Sequence, residues 1–170
     1  MLRKTLQGTG VALVTPFKKD KSIDFEALEK LIDIQIAGGV DYVVSLGTTG
    51  ESVVLSFEEK LAVLDCTYNK VNGRVPVVVG IGGNDTASLI ASFKKYPLDK
   101  AVAILSVTPY YNKPSQKGVI DYFNKIAEVD PKVPVIMYHI PGRGGAEYIP
   151  ETIAFLAQQH PNINGLKEAS

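Results

Sequence analysis

An α/β fold with parallel strands is predicted by three features of the chain. Short apolar, β-branched runs alternate with helix-length amphipathic stretches throughout its length. The runs start about every 30 residues, the size of one strand-plus-helix unit. Residues able to do chemistry follow directly after the runs, where a barrel of such units carries its active site.

Six runs read as strands: Gly10–Val14, Tyr42–Leu46, Val75–Val79, Ala101–Val107, Val133–Met137 and Ile163–Leu166. Each is too short and too uniformly apolar for a surface helix, which suits strands buried on both faces of a parallel sheet. In the first helical stretch, Phe25, Leu28, Leu31, Ile32 and Ile36 share one face behind Asp24 as N-cap. The second opens with a capping box, Ser56 to Glu59, and ends near Asn72-Gly73. Ser115 is placed to cap the fourth helix, and Pro150 suits the first turn of the fifth. Gly38-Gly39, Tyr96-Pro97, Asp130-Pro131 and His160-Pro161 mark helix stops.

Strict alternation leaves a doubly wound sheet or an eightfold barrel. A dinucleotide-binding sheet needs a glycine-rich phosphate loop after its first strand, and Thr15-Pro16-Phe17 stands there instead. A barrel needs polar residues after several strands. They are present as Thr15, Gly47-Thr48-Thr49-Gly50-Glu51, Gly82-Gly83-Asn84, Tyr110-Tyr111, Tyr138 and Lys167. The expected fold is therefore a TIM (β/α)8 barrel, with residues 1–170 forming one partial catalytic domain of five βα units plus the sixth strand. A complete barrel takes roughly 250 residues. The chain is accordingly expected to be a fragment lacking helix six, units seven and eight and any C-terminal helical region. Lys167 should then be more solvated than in a closed barrel, and open strand edges predict oligomers or aggregation.

Hydrophobic residues at 45% and charged residues at 21% are ordinary for a globular chain. With 18 basic and 18 acidic residues the net charge is zero, which argues against a nucleic-acid or anionic-membrane partner. The single cysteine, Cys66, allows no internal disulfide. No apolar run nears the ~18 residues of a membrane span, and the first ten residues hold no signal-peptide core. A cytoplasmic location is expected. No CxxC, HExxH or phosphate loop occurs, so neither metal nor cofactor is expected.

Lys167, in Gly165-Leu166-Lys167-Glu168, ends an apolar strand and so should face the barrel mouth. A lysine amine attacks carbonyls when desolvation disfavours its ammonium form; the plain alternative is a surface lysine at a strand end. Tyr138 ends the preceding strand, where a phenol can carry protons to and from a carbinolamine or simply fill the barrel top. His139, facing the other side, reads as structural. The Gly47–Glu51 loop offers two hydroxyls and a nest of backbone N–H groups for a carboxylate, or is an ordinary βα turn. Tyr110-Tyr111 supply a second phenol or an aromatic contact surface. Arg143, in Pro141-Gly142-Arg143, could grip a carboxylate in bidentate fashion or stand in solvent.

Four motifs in order, GTTGES, TPYYNKPSQ, YHIPGR and GLKEAS, resemble those of the dihydrodipicolinate synthase family across essentially the whole chain. The resemblance implies a cofactor-free synthase joining pyruvate to aspartate semialdehyde in the diaminopimelate and lysine pathway. On it, Lys167 looks like the Schiff-base lysine and Tyr138 like the general acid/base. Thr48 and Tyr111 would complete a proton relay, with Tyr111 reaching across a dimer interface of a homo-oligomer. Thr49, in the loop opened by Gly47, resembles the residue that binds the pyruvate carboxylate. Arg143, after Gly142, resembles the receiver of the semialdehyde carboxylate. Ser52, Asn84 and Tyr110 match part of the family's lysine-feedback site, whereas Phe57, Lys60 and Ser88 do not, so feedback is expected to be weak or absent. His139, Ile140 and Gly144 depart from the usual Asn, Val and Thr. The wider superfamily leaves an N-acetylneuraminate lyase or related sugar-acid aldolase as the alternative, which Tyr110-Tyr111-Asn112 and Arg143 disfavour. A non-catalytic partial barrel serving as an assembly or binding protein is the alternative of another class.

Overall fold

A computed structural model describes residues 2–170. The chain forms two compact units, residues 3–80 with 99–102, and residues 81–98 with 103–170. One helical turn, α1 (Leu2–Thr5), opens the chain.

In the first unit three parallel strands, β1 (Gly10–Ala12), β2 (Tyr42–Ser45) and β3 (Val77–Gly80), lie in chain order with β2 in the middle. Val43 pairs with both Val11 and Val77, and Val43, Val78 and Val79 are fully buried. Two helices, α2 (Phe25–Ala37) and α3 (Phe57–Val71), pack on each other. Asp24 Oδ1 caps α2 by accepting from the Ala27 N–H at 3.0 Å, and Leu28 and Ile32 supply its buried stripe. The predicted capping box is formed. Ser56 Oγ accepts from the Glu59 N–H at 3.1 Å, and the Glu59 carboxylate accepts from the Ser56 N–H at 2.7 Å. Asn72, left-handed at φ 45°, ends α3. One buried polar link joins helix to strand: Thr67 donates to the Val63 carbonyl at 2.8 Å and lies 3.2 Å from the Ser45 hydroxyl. At the surface Asp33 of α2 pairs with Lys70 at 2.7 Å and Arg74 at 2.8 Å, contacts that are worth little when so exposed.

The second unit has β4 (Ala103–Val107), β5 (Val135–His139) and β6 (Ile163–Glu168), again parallel, with β5 central. Its helices are α4 (Thr86–Phe93), α5 (Gln116–Val129), the short turn α6 (Pro141–Gly144) and α7 (Pro150–Gln159). Phe123, Ile126, Ile104, Met137 and Leu156 form its fully buried centre. Ser115 caps α5 as expected, and Asp85 caps α4. The α5–α7 contact is fastened by Gln116, whose Oε1 accepts from Thr152 Oγ1 at 2.7 Å and whose amide donates to the Glu147 carbonyl at 2.6 Å.

Two expectations change. Strands three, four and five start two residues later than read and strand one ends two residues earlier; three and five begin directly after Pro76 and Pro134. A proline has no N–H for the ladder, but its carbonyl opens it, accepting from Val43 and Ile104 respectively. The fifth and sixth strands run two residues further, so Tyr138 and Lys167 lie within them rather than at their last positions. Nor is the sixth strand buried on both faces. Its burial alternates, and Leu166 is 41% exposed, because β6 has a single strand neighbour in its unit.

Candidate active site

The parallel register of β5 and β6 sets Tyr138 opposite Lys167 and His139 opposite Glu168. Side chains alternate along a strand, so the first pair shares one sheet face and the second pair the other. Lys167 Nζ lies 4.4 Å from the centroid of the Tyr138 ring, within cation–π range. Tyr138 is buried and Lys167 half-buried. Two residues separated by a whole helix in the sequence are thus brought together on one face: an amine and a phenol.

On the reverse face His139 is buried and fully engaged. Its Nδ1 lies 2.6 Å from Glu168 Oε2, and its Nε2 accepts from the Tyr148 N–H at 3.2 Å. A backbone N–H can only donate, so the neutral ring carries its proton on Nδ1, toward the carboxylate. The His139 bond, and bonds from Ser170, hold the half-exposed Glu168 carboxyl well below the usual carboxylate range, at about 2. The His139 and Tyr148 rings stack with centroids 4.7 Å apart. Tyr148 is buried, and its hydroxyl donates to the Tyr138 carbonyl at 2.8 Å. Burial pushes the Tyr148 phenol pKa upward. The structural reading of His139 holds, but Tyr148 and Glu168 escaped the sequence reading. Only Glu168 left a signal, since it directly follows Lys167 and a strand's alternation puts it on the face opposite the amine, the face given to His139.

Arg143 lies on α6 directly after β5, where Pro141 at the first helical position begins a turn closed by Gly144 N–H to the Ile140 carbonyl at 2.8 Å. Gly142 and Arg143 are exposed, and Arg143 makes no ion pair among the described residues. Gly145 ends the turn at φ 67°. Gly144 is buried, and a Cβ there would sit 3.5 Å from Thr108 Oγ1, an ordinary contact. A side chain is therefore missing at this position but not excluded from it. Tyr111 is 88% exposed and left-handed at φ 70°, a rare conformation for a bulky residue, while Tyr110 is half-buried. Of the two readings of the tyrosine pair, that exposure matches the contact surface. The neighbouring Asn112 donates to the Asn84 carbonyl at 2.9 Å.

In the first unit, Thr48–Gly50 form a 3₁₀ turn after β2 with both threonines exposed. Part of the expected nest is already used: the Gly50 N–H bonds to the Gly47 carbonyl at 3.0 Å and the Glu51 N–H to the Thr48 carbonyl at 3.1 Å. The Thr48 and Thr49 amides are those that remain for a carboxylate. Leu46 and Glu51, at φ 59° and 50°, bracket the turn in left-handed conformations. Gly80 makes room for it, since a Cβ there would collide with the Leu46 carbonyl. Thr15 completes the support by donating to the Gly50 carbonyl at 2.7 Å. Ser52 begins a second 3₁₀ turn, Ser52–Val54.

Among the described residues no group of three or more His, Cys, Asp or Glu is placed to hold a metal, and no helix is long and apolar enough to cross a membrane.

Parallel strands in chain order, each followed by helix or loop, and an amine beside a phenol on one sheet face define an α/β protein of the TIM-barrel class. The chain belongs to the dihydrodipicolinate synthetase family, whose profile matches residues 5–170. It is 49% identical over 163 residues to the 4-hydroxy-tetrahydrodipicolinate synthase of Flavobacterium psychrophilum, covering 96% of this chain and 55% of that one. The corresponding enzyme of Cytophaga hutchinsonii is 50% identical over 166 residues, 98% of this chain and 55% of its own length. A solved chloride-inhibited dihydrodipicolinate synthase of Acinetobacter baumannii, in complex with pyruvate, superposes with TM-score 0.92 at 42% identity over 98% of this chain and 56% of that chain. The chain thus spans about half the length of the relatives it matches.

Proposed function

We propose that this chain carries the Schiff-base half of a 4-hydroxy-tetrahydrodipicolinate synthase, and that residues 1–170 belong to one catalytic domain. The observation that carries this is Lys167 Nζ at 4.4 Å from the Tyr138 ring on a shared sheet face. Lys167 adds to the keto carbon of pyruvate to give a carbinolamine. Tyr138 moves the protons that let water leave, yielding the protonated imine. Loss of a methyl proton turns the imine into an enamine, the imine nitrogen serving as electron sink. The enamine carbon then bonds to the aldehyde carbon of aspartate semialdehyde, whose oxygen takes up a proton. The amino group of the semialdehyde then attacks the imine carbon, closing the ring, and the Lys167 amine leaves as the cyclic product is released.

Thr49 is assigned the pyruvate carboxylate, and Thr48 with Tyr111 the rest of the proton relay, on the family motifs that contain them. The exposure of Tyr111 supports its use at an interface between copies of the chain in a homo-oligomer. Arg143, exposed and without an ion pair among the described residues, is assigned the semialdehyde carboxylate. The pyruvate complex of the Acinetobacter baumannii relative supports the first substrate. A cytoplasmic enzyme without a resident cofactor fits this chemistry. The incomplete match of Ser52, Asn84 and Tyr110 to the feedback site supports weak or absent lysine inhibition.

Borohydride reduction in the presence of pyruvate is expected to leave a reduced pyruvate adduct on Lys167 of the full-length protein. Recovery of Lys167 peptide only in unmodified form would end the proposal. Comparing turnover of aspartate semialdehyde with cleavage of N-acetylneuraminate separates the synthase from the sugar-acid aldolase reading.

A further inference from the structure

We propose that His139 and Glu168 form a positioning clamp that holds the Lys167 amine against Tyr138; the inference rests on the Schiff-base reading above. Lysine has a long, flexible stem, so its aim depends on how firmly the backbone beneath it is held. β6 has one strand neighbour in its unit, and just past Lys167 two bonds fasten it to β5 while a third braces its own tail. Glu168 Oε2 meets His139 Nδ1 at 2.6 Å, the Ala169 N–H donates to the His139 carbonyl at 3.0 Å, and Glu168 Oε1 accepts from the Ser170 N–H at 2.8 Å. His139 is itself fixed by Tyr148 through the 3.2 Å bond to Nε2 and the stacked rings. Tyr148 then returns to the Tyr138 carbonyl at 2.8 Å. The circuit Glu168–His139–Tyr148–Tyr138 therefore starts beside the amine and closes on the residue that faces it. It also keeps the carboxylate that follows Lys167 in the chain engaged on the other face of the sheet. Neither His139 nor Glu168 touches the reacting atoms; both act through the strand.

The test is the single-turnover rate of borohydride-trapped imine formation with pyruvate in the full-length protein. It is read together with the pyruvate concentration giving half-maximal trapping and the melting temperature. Glu168→Ala and His139→Ala are expected to slow trapping about tenfold while leaving the half-maximal concentration unchanged, as for a displaced reacting group. His139→Asn puts an amide N–H where Nδ1 stands, keeping the Glu168 bond but not the Tyr148 one, and is expected to recover part of the rate lost in His139→Ala. His139→Gln reproduces only the Nε2 acceptor and is expected to remain slow. Glu168 is half-exposed, so its variants are the ones least exposed to folding failure. A wild-type protein that traps pyruvate beside a Glu168→Ala variant that traps equally fast, whatever its melting temperature, overturns the clamp alone. Equal rescue by Asn and Gln also overturns it. Absence of trapping in the wild type removes the Schiff-base reading and the clamp with it.

Discussion

The threonine turn after β2 and the paired tips of β5 and β6 are both held in place, but by opposite means. Around the turn the restraint is steric. Leu46 and Glu51 occupy left-handed backbone conformations, and the Leu46 carbonyl rests where a Cβ at Gly80 would be. Such conformations persist only where their surroundings impose them. At the β5 and β6 tips the backbone is regular, and the restraint comes from side chains: Glu168 on His139, His139 on Tyr148, and Tyr148 on the Tyr138 carbonyl. A steric restraint fails in one step, because the backbone itself must move to admit a new methyl group. A hydrogen-bonded one can be weakened one bond at a time.

The largest break should come from Gly80→Ala. The added carbon meets backbone atoms of Leu46 and Gly47, so the turn or the strand must move, at about 3 kcal/mol in denaturant melts. A wild-type midpoint would show that the turn is held by something else. Tyr148→Phe is the matching cut in the second region. It leaves the Tyr138 carbonyl without its donor in a buried setting, and about 1–2 kcal/mol of stability should be lost. Neighbouring glycines sharpen the contrast further. Gly145→Ala, at φ 67°, should cost about 1 kcal/mol, whereas Gly144→Ala, with ordinary contact to Thr108, should stay within about 0.5 kcal/mol of wild type.

The smallest effect is a pH dependence from Glu168. Its folded pKa, about 2, lies below the ordinary 4.5. As the pH falls below 4.5 the unfolded state takes up the proton first, so this contribution is intact above that value. It is lost progressively down to about 2, and further acid changes nothing more. Glu168→Gln should flatten the stability profile in that window. An unchanged profile would mean that the carboxylate is not bonded to His139 in solution.

Features that depend on neighbours in the chain were readable in advance. Asp24, Ser56 with Glu59, Ser115 and Pro150 act within one turn of themselves, and each stands where expected. His139 was assigned to the face away from Tyr138 by the period of a strand alone. The four-residue turns α1 and α6 were not foreseen, since a single turn has no periodicity to detect and two of the four residues in α6 are glycines. Strand limits slipped by two residues at several ends; before strands three and five the cause is a proline, which has no N–H for the ladder.

Residue order by itself determined the alternation of strands and helices, the caps, and the presence of Lys167, Tyr138, Thr48, Thr49 and Arg143 after strands or near their C-terminal ends. These follow from backbone propensity and side-chain period, which act over a few residues. Only the tertiary structure decided that Lys167 faces Tyr138 rather than another residue of β5, that Glu168 reaches His139, and that Tyr148 joins both tyrosine and histidine. Those partners are separated by up to 29 residues, and their pairing depends on the register of two strands. A slip of one residue would have placed the amine on the other face.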